Sequence, residues 1–351
     1  MKRGYSIMLI SILLLINSCI DPLELDIDAN AEQLVVDGVI TNEPGPYTVR
    51  LSRSKPYDSY ADSWDAVETG ATVVISDDQG NQETLSETKP GLYQTSAEGI
   101  QGQLGRTYTL SIRTKGGQQY TSAPETLLPV PPIDSLYFEV HPEQLLNEED
   151  IEETVYVVDV LSAVQDPAQQ KNYYMWQWES VFQVSTQPWD YSEKVRGVRV
   201  KMPKDCCETC WVTRFTNSVN VLDDRLLNGG TVKRHLVTKI PVTEQAFGNR
   251  YHIEVKQTSL TEAAYDYWSL LRSQIENGGS IQDPPPAIVI GNITNANNPD
   301  DRALGFFGAS AVARRPLFIN REDLGVQVGL YVFPDDCRVI VNSTTERPAF
   351  W

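Results

Sequence analysis

Residues 71–87 read ATVVISDDQGNQETLSE, and this stretch decides the fold class of the chain. Val73 and Ile75 stand two positions apart, which is the apolar period of a strand with one buried face. The residues that follow, DDQGN at 77–81, are typical of a hairpin turn. A second short run of alternating residues comes after the turn. The stretch therefore predicts an antiparallel β-hairpin.

The same pattern continues on both sides of this hairpin, over residues 33–128. About seven short strands in about 100 residues are typical of an immunoglobulin-like or fibronectin-like β-sandwich. Tyr108 stands where such folds often have a tyrosine corner, in which the hydroxyl bonds back to nearby backbone. We therefore predict a structural role for Tyr108. Further apolar residues with the two-residue period are Val35, Tyr47, Val49, Leu51, Leu110 and Ile112.

A proline-rich segment, PVPPID at residues 129–134, follows the predicted sandwich. Proline fixes the backbone angle φ and provides no N–H donor, so we predict a stiff linker and a domain boundary here. Residues 135–351 consist mainly of further alternating runs. These runs predict a second β-rich domain.

One segment of this second domain has a helical period instead. Residues 259–262, SLTE, fit a capping box, and apolar residues then recur along one helical face. Gly278 and Gly279 are typical of a helix end. We predict one amphipathic helix near residues 260–277, inserted in a fold that is otherwise mainly β. The predicted apolar stripe consists of Ala264, Trp268, Leu271 and Ile275.

The N-terminus has the order of features found in a bacterial lipoprotein signal peptide. Two basic residues precede an apolar run at 7–16, which is shorter than the ~20 residues that a membrane helix needs. The quartet INSC at 16–19 resembles a lipobox, which implies cleavage before Cys19 and acylation of this residue. We predict a signal peptide at 1–18, a membrane anchor on the lipidated Cys19 and an acidic tether at 19–32. A buried first strand with a chance cysteine is the alternative.

The chain of 351 residues is strongly acidic, with a formal net charge of −18. Nucleic-acid binding requires Lys or Arg to neutralise phosphates, so we predict no nucleic-acid partner. The same charge argues against electrostatic attachment of the whole body to an anionic membrane surface. Solubility is the alternative explanation of the acidity.

Four cysteines remain besides Cys19, and they are Cys206, Cys207, Cys210 and Cys337. An even number in an exported chain favours disulfides. We expect one of the two adjacent cysteines to pair with Cys210 and the other to pair with Cys337. A zinc site of four thiolates is the alternative. It is disfavoured because adjacent side chains diverge in extended backbone and because the compartment is oxidising.

No motif in the sequence indicates catalysis. The three histidines, His141, His235 and His252, form neither an H-E-x-x-H motif nor an i, i+4 pair, so a catalytic zinc has no ligand set. Nucleophile-elbow, Walker and Rossmann patterns are also absent from the sequence. We predict that the protein is not an enzyme and has neither a cofactor nor a metal site.

Aromatic residues are concentrated in two places. Trp176 and Trp178 share one face of a predicted strand with Tyr174, and Trp189 and Tyr191 lie in a predicted loop. Exposed rings of this kind favour binding of sugars, peptides or partner proteins. The two strand tryptophans and the two loop residues are therefore candidate binding residues. A buried core stripe is the alternative for the strand set, and burial of the rings is the alternative for the loop pair.

Several strings occur together along nearly the whole mature chain. They are LVVDGVITNEPGPYTVRLSRS, IDSLY, CCETCW, TEAAYDYW, DPPPAIVIGNI and LGFFGAS. With these strings the chain resembles domain of unknown function family 4249, whose members are Bacteroidota lipoproteins often encoded beside a TonB-dependent outer-membrane receptor. The resemblance implies an accessory role at such a receptor, and it provides no catalytic residues.

Two short features resemble signals of the same phylum. Asp21 and Glu24, close after Cys19, resemble the export signal for the outer face of the outer membrane. Asp134–Leu136 resembles an O-glycosylation pattern with Ser135 as acceptor, although a strand start explains these residues as well. We therefore expect a surface-exposed outer-membrane lipoprotein that assists a TonB-dependent transporter in nutrient capture or uptake. A structural or adhesion β-sandwich lipoprotein is the alternative.

Overall fold

The computed structural model describes residues 32–55, 66–146, 151–168, 171–225, 229–276 and 289–351. Over these ranges the protein is mainly β, with several antiparallel sheets and two α-helices. The predicted signal peptide, Cys19 and all but the last residue of the predicted tether lie outside the described residues.

The first half of the chain contributes ten strands in sequence order. They are β1 (Leu34–Thr41), β2 (Thr48–Arg53), β3 (Thr72–Asp77), β4 (Gln82–Thr84), β5 (Ser86–Lys89), β6 (Leu92–Gln94), β7 (Thr107–Arg113), β8 (Gln119–Ser122), β9 (Glu125–Thr126) and β10 (Ser135–Leu146).

The second half contains the other described strands and both helices. They are β11 (Glu152–Gln165), β12 (Tyr173–Ser185), β13 (Ser192–Val195), β14 (Val198–Lys201), β15 (Thr209–Phe215), β16 (Asn220–Asp223), β17 (Thr231–Pro241), α1 (Glu244–Phe247), β18 (Tyr251–Leu260), α2 (Glu262–Glu276), β19 (Ile293–Asn295), β20 (Leu304–Ser310), β21 (Val312–Ile319) and β22 (Ser343–Thr344).

The N-terminal unit consists of two sheets around one hydrophobic core. One sheet has the strand order β20-β1-β2-β6-β5, and the other has the order β19-β8-β7-β3-β4, with β9 paired to β7. The hairpin predicted from residues 71–87 is present, because β3 pairs antiparallel with β4 and Ile75 lies opposite Glu83. Val73 and Ile75 are fully buried. In β1 the predicted face is wrong: Leu34 and Val36 are buried, whereas Val35 is only half-buried.

A late segment of the chain returns to this unit, which corrects the predicted domain boundary. Strand β20 pairs in parallel with β1, so that Val36 lies opposite Gly305. Strand β19 pairs with β8, and Phe307 is fully buried in the same core. Residues 135–351 therefore do not form one separate unit, because 293–310 complete both N-terminal sheets. Periodicity predicts a strand's buried face but does not identify its partner strand.

The second unit also has two sheets around a core. The three-stranded sheet has the order β10-β11-β17, and the larger sheet has the order β21-β18-β12-β15-β22, with β16 paired to β12. Val160 from the small sheet and Trp176, Val212 and Ile253 from the large sheet belong to the same buried cluster. The linker joins the two units as a packed segment, since Ile133 is buried in this core.

Helix α2 begins at Glu262, and its cap differs from the prediction. The Thr261 hydroxyl accepts a hydrogen bond from the Ala264 backbone N–H at 3.2 Å and is the N-cap. Ser259 instead belongs to β18, and its hydroxyl donates to the Leu128 carbonyl at 2.6 Å. Ala264 is buried, whereas Ile275 is 61% exposed. The helix therefore packs through its first turns, and the predicted apolar stripe is only partly buried.

The contact region between the two units, here called the junction, is held by polar bonds. Glu125 on β9 accepts from the Thr261 hydroxyl at 2.7 Å and from the Asn292 amide at 3.5 Å. Asn292 also bonds the Phe307 backbone, accepting from its N–H and donating to its carbonyl. The Arg314 guanidinium on β21 bonds the Glu43 carboxylate of the N-terminal unit. Buried polar groups with partners of this kind fix the two units against each other.

Candidate functional site

The two strand tryptophans belong to the core rather than to a binding surface. Trp176 is 1% exposed, and its ring stacks on the His235 ring with centroids 3.8 Å apart. Trp178 is partly buried against the same core. The predicted binding role of Trp176 is therefore wrong, because even-numbered residues of β12 face the small sheet. Trp178 also lines a cavity of about 300 Å³.

His235 has a structural environment. Its Nε2 lies 2.9 Å from the Asn220 Oδ1, which accepts a hydrogen bond from the neutral ring. Burial lowers the pKa of His235 to about 4, because the charged form loses its hydration. The ring is therefore neutral near pH 7 and packs as an aromatic group.

Tyr108 occupies the position of a structural tyrosine. It is 1% exposed, and its hydroxyl accepts from the Gln103 backbone N–H at 2.8 Å and donates to the Gln101 carbonyl at 3.4 Å. Burial raises the pKa of Tyr108. Ser135, the predicted glycosylation site, is the first residue of β10 and is partly buried.

The cysteines form two disulfides, but the pairing differs from the expectation. Cys210 pairs with Cys337, with Cα atoms 5.8 Å apart, and both residues are fully buried. Cys206 pairs with its neighbour Cys207. Strand β15 directs Cys210 into the core toward Cys337, which leaves the adjacent cysteines to each other. The backbone N–H of Cys337 donates to the Cys207 carbonyl, which joins the two disulfides into one region.

These disulfides form the base of the distal end, a name used here for residues 187–210 and 328–337. Gln187 bonds both chain segments of this region, donating to the Tyr331 carbonyl at 3.3 Å and accepting from the Phe333 N–H at 2.8 Å. A Lys204–Asp335 ion pair joins the same two segments. The distal end adjoins the last residue of β12, whereas the first residue of β12 lies beside α2 at the junction.

Trp189 and Tyr191, the predicted loop aromatics, both lie in the distal end. Trp189 is 52% exposed in a short 3₁₀ segment, Pro188–Asp190. The Tyr191 hydroxyl donates to Glu193 at 2.8 Å, and the Lys204 ammonium lies 3.8 Å from the Tyr191 ring centroid. Trp189 is therefore exposed and can contact another molecule. Tyr191 instead packs against Lys204 at the base of the hairpin that follows.

This hairpin, β13–β14, pairs with no other strand among the described residues. Its turn consists of Arg196 at φ 50° and Gly197 at φ 85°, as in the two-residue turns that match strand twist. The register places Val195 opposite Val198 and Lys194 opposite Arg199. Alternation then puts the valines, together with Glu193, on one face and the basic side chains on the other. The apolar face consists of Val195, Val198, Val200 and Met202, all exposed by 42–66%.

The hairpin has the opposite charge to the rest of the molecule. Residues 192–204 contain five Lys or Arg and one Glu, in a chain of net charge −18. Lys194 and Arg199 have no hydrogen bond or ion pair within the described ranges. Nearby, Leu330 and Val332 are exposed by 75% and 72%. The distal end therefore presents a basic surface and an apolar surface on opposite faces of the hairpin.

The sequence contains a signal for this hairpin, although no catalytic or binding motif coincides with it. The string VRGVRVKM alternates valine with Arg or Lys, so one face of the hairpin is apolar and the other is basic. A half-buried strand and an amphipathic exposed hairpin have the same two-residue period. Only the strand pairing in the structure shows that the hairpin joins no other described strand.

A second candidate region is a cleft of about 120 Å³ at the junction. It lies between the outer faces of β1 and β20 on one side and β12, β18 and α2 on the other. Within the described part of the chain, no group of three or more His, Cys, Asp or Glu residues is arranged to hold a metal ion.

The fold and these regions define a two-unit β-rich protein, one end of which has two disulfides and an exposed hairpin. A family model described as "Domain of unknown function (DUF4249)" matches residues 20–315, and the chain belongs to this family. No curated protein that was compared with the chain gives a match. Across the described residues, no helix combines the length and the apolar character needed to cross a membrane.

Proposed function

We propose that the protein is a surface-exposed outer-membrane lipoprotein, anchored through Cys19, that docks on a TonB-dependent transporter and assists nutrient capture or uptake. It has no catalytic role in this proposal. The N-terminal unit is proposed to be an immunoglobulin-like sandwich. Its two sheets around one core and the backbone-bonded Tyr108 support this arrangement.

The observation that carries the proposal is the uncovered β13–β14 hairpin. An isolated two-stranded ribbon is marginally stable on its own, and contiguous exposed apolar residues commonly mark a contact surface. Here four apolar side chains and the nearby Trp189 are exposed together. Trp, Met and Arg are enriched in protein interfaces. Charge complementarity favours an acidic partner, because the hairpin is basic within an acidic chain.

The position of the hairpin suits a tethered docking protein. Strand β12 has 13 residues, so it separates the distal end from the junction by about 40 Å. The predicted tether joins the N-terminal unit, which lies beyond the junction. A lipid anchor confines the protein to the membrane plane and raises its effective concentration near a membrane partner. Contacts of modest affinity at the distal end would then suffice.

The proposal is tested with the full chain carrying a C-terminal tag, expressed in its own host. Labelling with a fatty-acid analogue is expected to modify the protein and to fail for Cys19→Ala. Affinity purification from detergent-solubilised outer membrane is expected to recover a β-barrel receptor. Recovery of no β-barrel, or a mature protein that begins at Met1, would contradict the proposal.

Charge-reversal variants test whether the hairpin makes the contact with the receptor. The double variant Lys194→Glu, Arg199→Glu is expected to reduce receptor recovery at least tenfold. The matched control is Arg113→Glu, Lys115→Glu, which makes the same change in net charge on the N-terminal unit. Equal recovery with both double variants would remove the hairpin from the docking surface.

A further inference from the structure

The junction cleft contains two polar side chains that the fold leaves without partners. Lys256 on β18 and Gln177 on β12 are cross-strand neighbours, and both line the cleft. Neither side chain has a hydrogen bond or ion pair to any residue that the structure describes. Both side chains are only partly buried, so their donor groups are open to a molecule that enters the cleft.

The surroundings of Lys256 explain why no protein anion reaches it. Arg314 lies directly opposite Lys256 on β21, and its guanidinium binds the carboxylates of both Glu43 and Glu254. These two nearby acids are therefore already paired. Burial and the Arg314 charge lower the pKa of Lys256, while Glu43 opposes this shift. The ammonium is partly desolvated, and the charge of Glu43, which is already paired with Arg314, compensates for this only in part.

The rest of the cleft combines apolar side chains with the hydroxyl residues Thr41, Thr258 and Ser310. Met175 and Leu260 lie beside the polar pair, and Trp268 and Phe306 contribute aromatic groups from α2 and β20. The one acidic group in the lining is Asp37, which is exposed. The volume of the cleft, about 120 Å³, is slightly below the ~150 Å³ of a closed cavity that binds benzene.

We propose that the junction cleft is a binding site for a small carboxylate with an apolar body, whose charged group pairs with the Lys256 ammonium and the Gln177 amide. The apolar body occupies the space between Met175, Trp268 and Phe306. A larger cavity of about 300 Å³ shares Lys256 and Gln177 as lining residues, so a longer carboxylate can extend across the polar pair. This inference does not depend on the proposed docking function.

The site is tested with 4-fluorobenzoate and its neutral analogue 4-fluorobenzyl alcohol. Both probes have the same ring, so their difference in affinity reports the carboxylate. Ligand-observed fluorine NMR titration of the full-length protein is expected to show at least tenfold tighter binding of the acid. Equal affinities would overturn the proposal.

Three variants assign the binding to the cleft. Lys256→Met keeps an unbranched apolar stem, and we expect it to fold because it removes a partly desolvated cation opposite Arg314. It should reduce acid affinity at least tenfold, to the level of the alcohol. Lys115→Met, on an exposed turn of the N-terminal unit, is the matched control and should change nothing.

The third variant, Gly308→Val, fills the cleft. A Cβ at Gly308 would meet only the Val39 and Phe306 side chains at 3.9–4.0 Å, so the strand can accept it. We expect this variant to bind neither probe. An unchanged melting temperature would show that it is folded. If Gly308→Val fails to fold, the Lys256→Met result decides. Undiminished acid binding in Lys256→Met would refute the site.

Discussion

The junction and the distal end differ in how completely the protein covers their side chains. At the junction, Glu125 is 2% exposed and has side-chain partners from α2 and from the segment before β19. At the distal end, Val198 is 66% exposed and its hairpin pairs with no other described strand. The Glu125 carboxyl is therefore satisfied within the protein, whereas the hairpin of the distal end is covered by no other described strand. A contact surface for another molecule is therefore expected at the distal end.

Each region is also stabilised by a different kind of bond. The junction uses hydrogen bonds and ion pairs between the two units, such as Thr261 to Glu125 and Arg314 to Glu43. The distal end is connected to the core by the disulfide between Cys210 and Cys337, which are 127 residues apart in sequence. A disulfide that closes so long a loop restricts the unfolded chain strongly. This disulfide can fix the distal end to the core while the surface of the distal end stays exposed.

The largest expected effect concerns this disulfide. Replacing both Cys210 and Cys337 with serine should lower the free energy of unfolding by about 3–5 kcal/mol, because a long loop is released and a buried contact is lost. Replacing Cys206 and Cys207 should lower it by only about 1 kcal/mol, since that loop is minimal. Urea titration of both variants measures the difference. Equal losses would mean that the long-range disulfide does not support the distal end.

The next prediction concerns the buried carboxyl at the junction. Burial raises the pKa of Glu125 to about 7 from the ordinary 4.5, against the opposing hydrogen bonds of Thr261 and Asn292. The folded state therefore binds more protons than the unfolded state between pH 4.5 and 7. Stability should fall as pH rises through this window. Glu125→Gln should be more stable than the wild type by about 3 kcal/mol at pH 8.

The control for the Glu125 prediction is the same comparison of wild type and variant at low pH. At pH 4 the wild-type carboxyl is protonated in both states, so the advantage of Glu125→Gln should disappear. Thermal unfolding of both proteins at pH 4 and pH 8 measures this change. A constant difference at the two pH values would show that Glu125 does not titrate in this way.

His235 should give a pH dependence of opposite sign. Its folded pKa of about 4 lies below the ordinary 6.5, so the unfolded state binds more protons between these values. Stability from this group is present above pH 6.5 and is lost as pH falls toward 4. His235→Phe keeps the stacking on Trp176, and its stability relative to wild type should improve by about 2–3 kcal/mol from pH 7 to pH 4. Chemical unfolding at both pH values measures this improvement, and a flat difference would argue against a buried neutral ring.

The smallest expected effect on stability comes from the hairpin. Val198→Ser combined with Val200→Ser should change the free energy of unfolding by less than about 0.5 kcal/mol, because both side chains are exposed. The same variant should reduce recovery of the outer-membrane partner at least fivefold. A large loss of stability would show that the valines pack within the protein instead of facing a partner.

The sequence predicted local structure well and long-range partners poorly. Period-two runs identified β3 and its hairpin turn, and an apolar helical period located α2 near its observed bounds, Glu262–Glu276. Both features depend on neighbours a few residues apart. The return of β20 to β1 has no local signal, because parallel pairing joins residues about 270 positions apart.

The candidate sites show the same limit. Trp189 was predicted from its loop context, and it is exposed. Trp176 was not distinguished from a binding residue, because a core stripe and a binding stripe share one period. The cysteine pairing was also missed, since proximity of Cys210 to Cys337 depends on tertiary structure. The cleft around Lys256 requires strands from both units, so no single stretch of sequence could indicate it.

Site-specific photo-crosslinking in living cells tests the central claim most directly. A photoreactive residue placed at Val198 in the hairpin should form a covalent adduct with an outer-membrane β-barrel protein, identified by mass spectrometry. The same residue at Lys115 in the N-terminal unit should form none. Adducts at Lys115 with none at Val198 would contradict the assignment of the distal end as the docking surface.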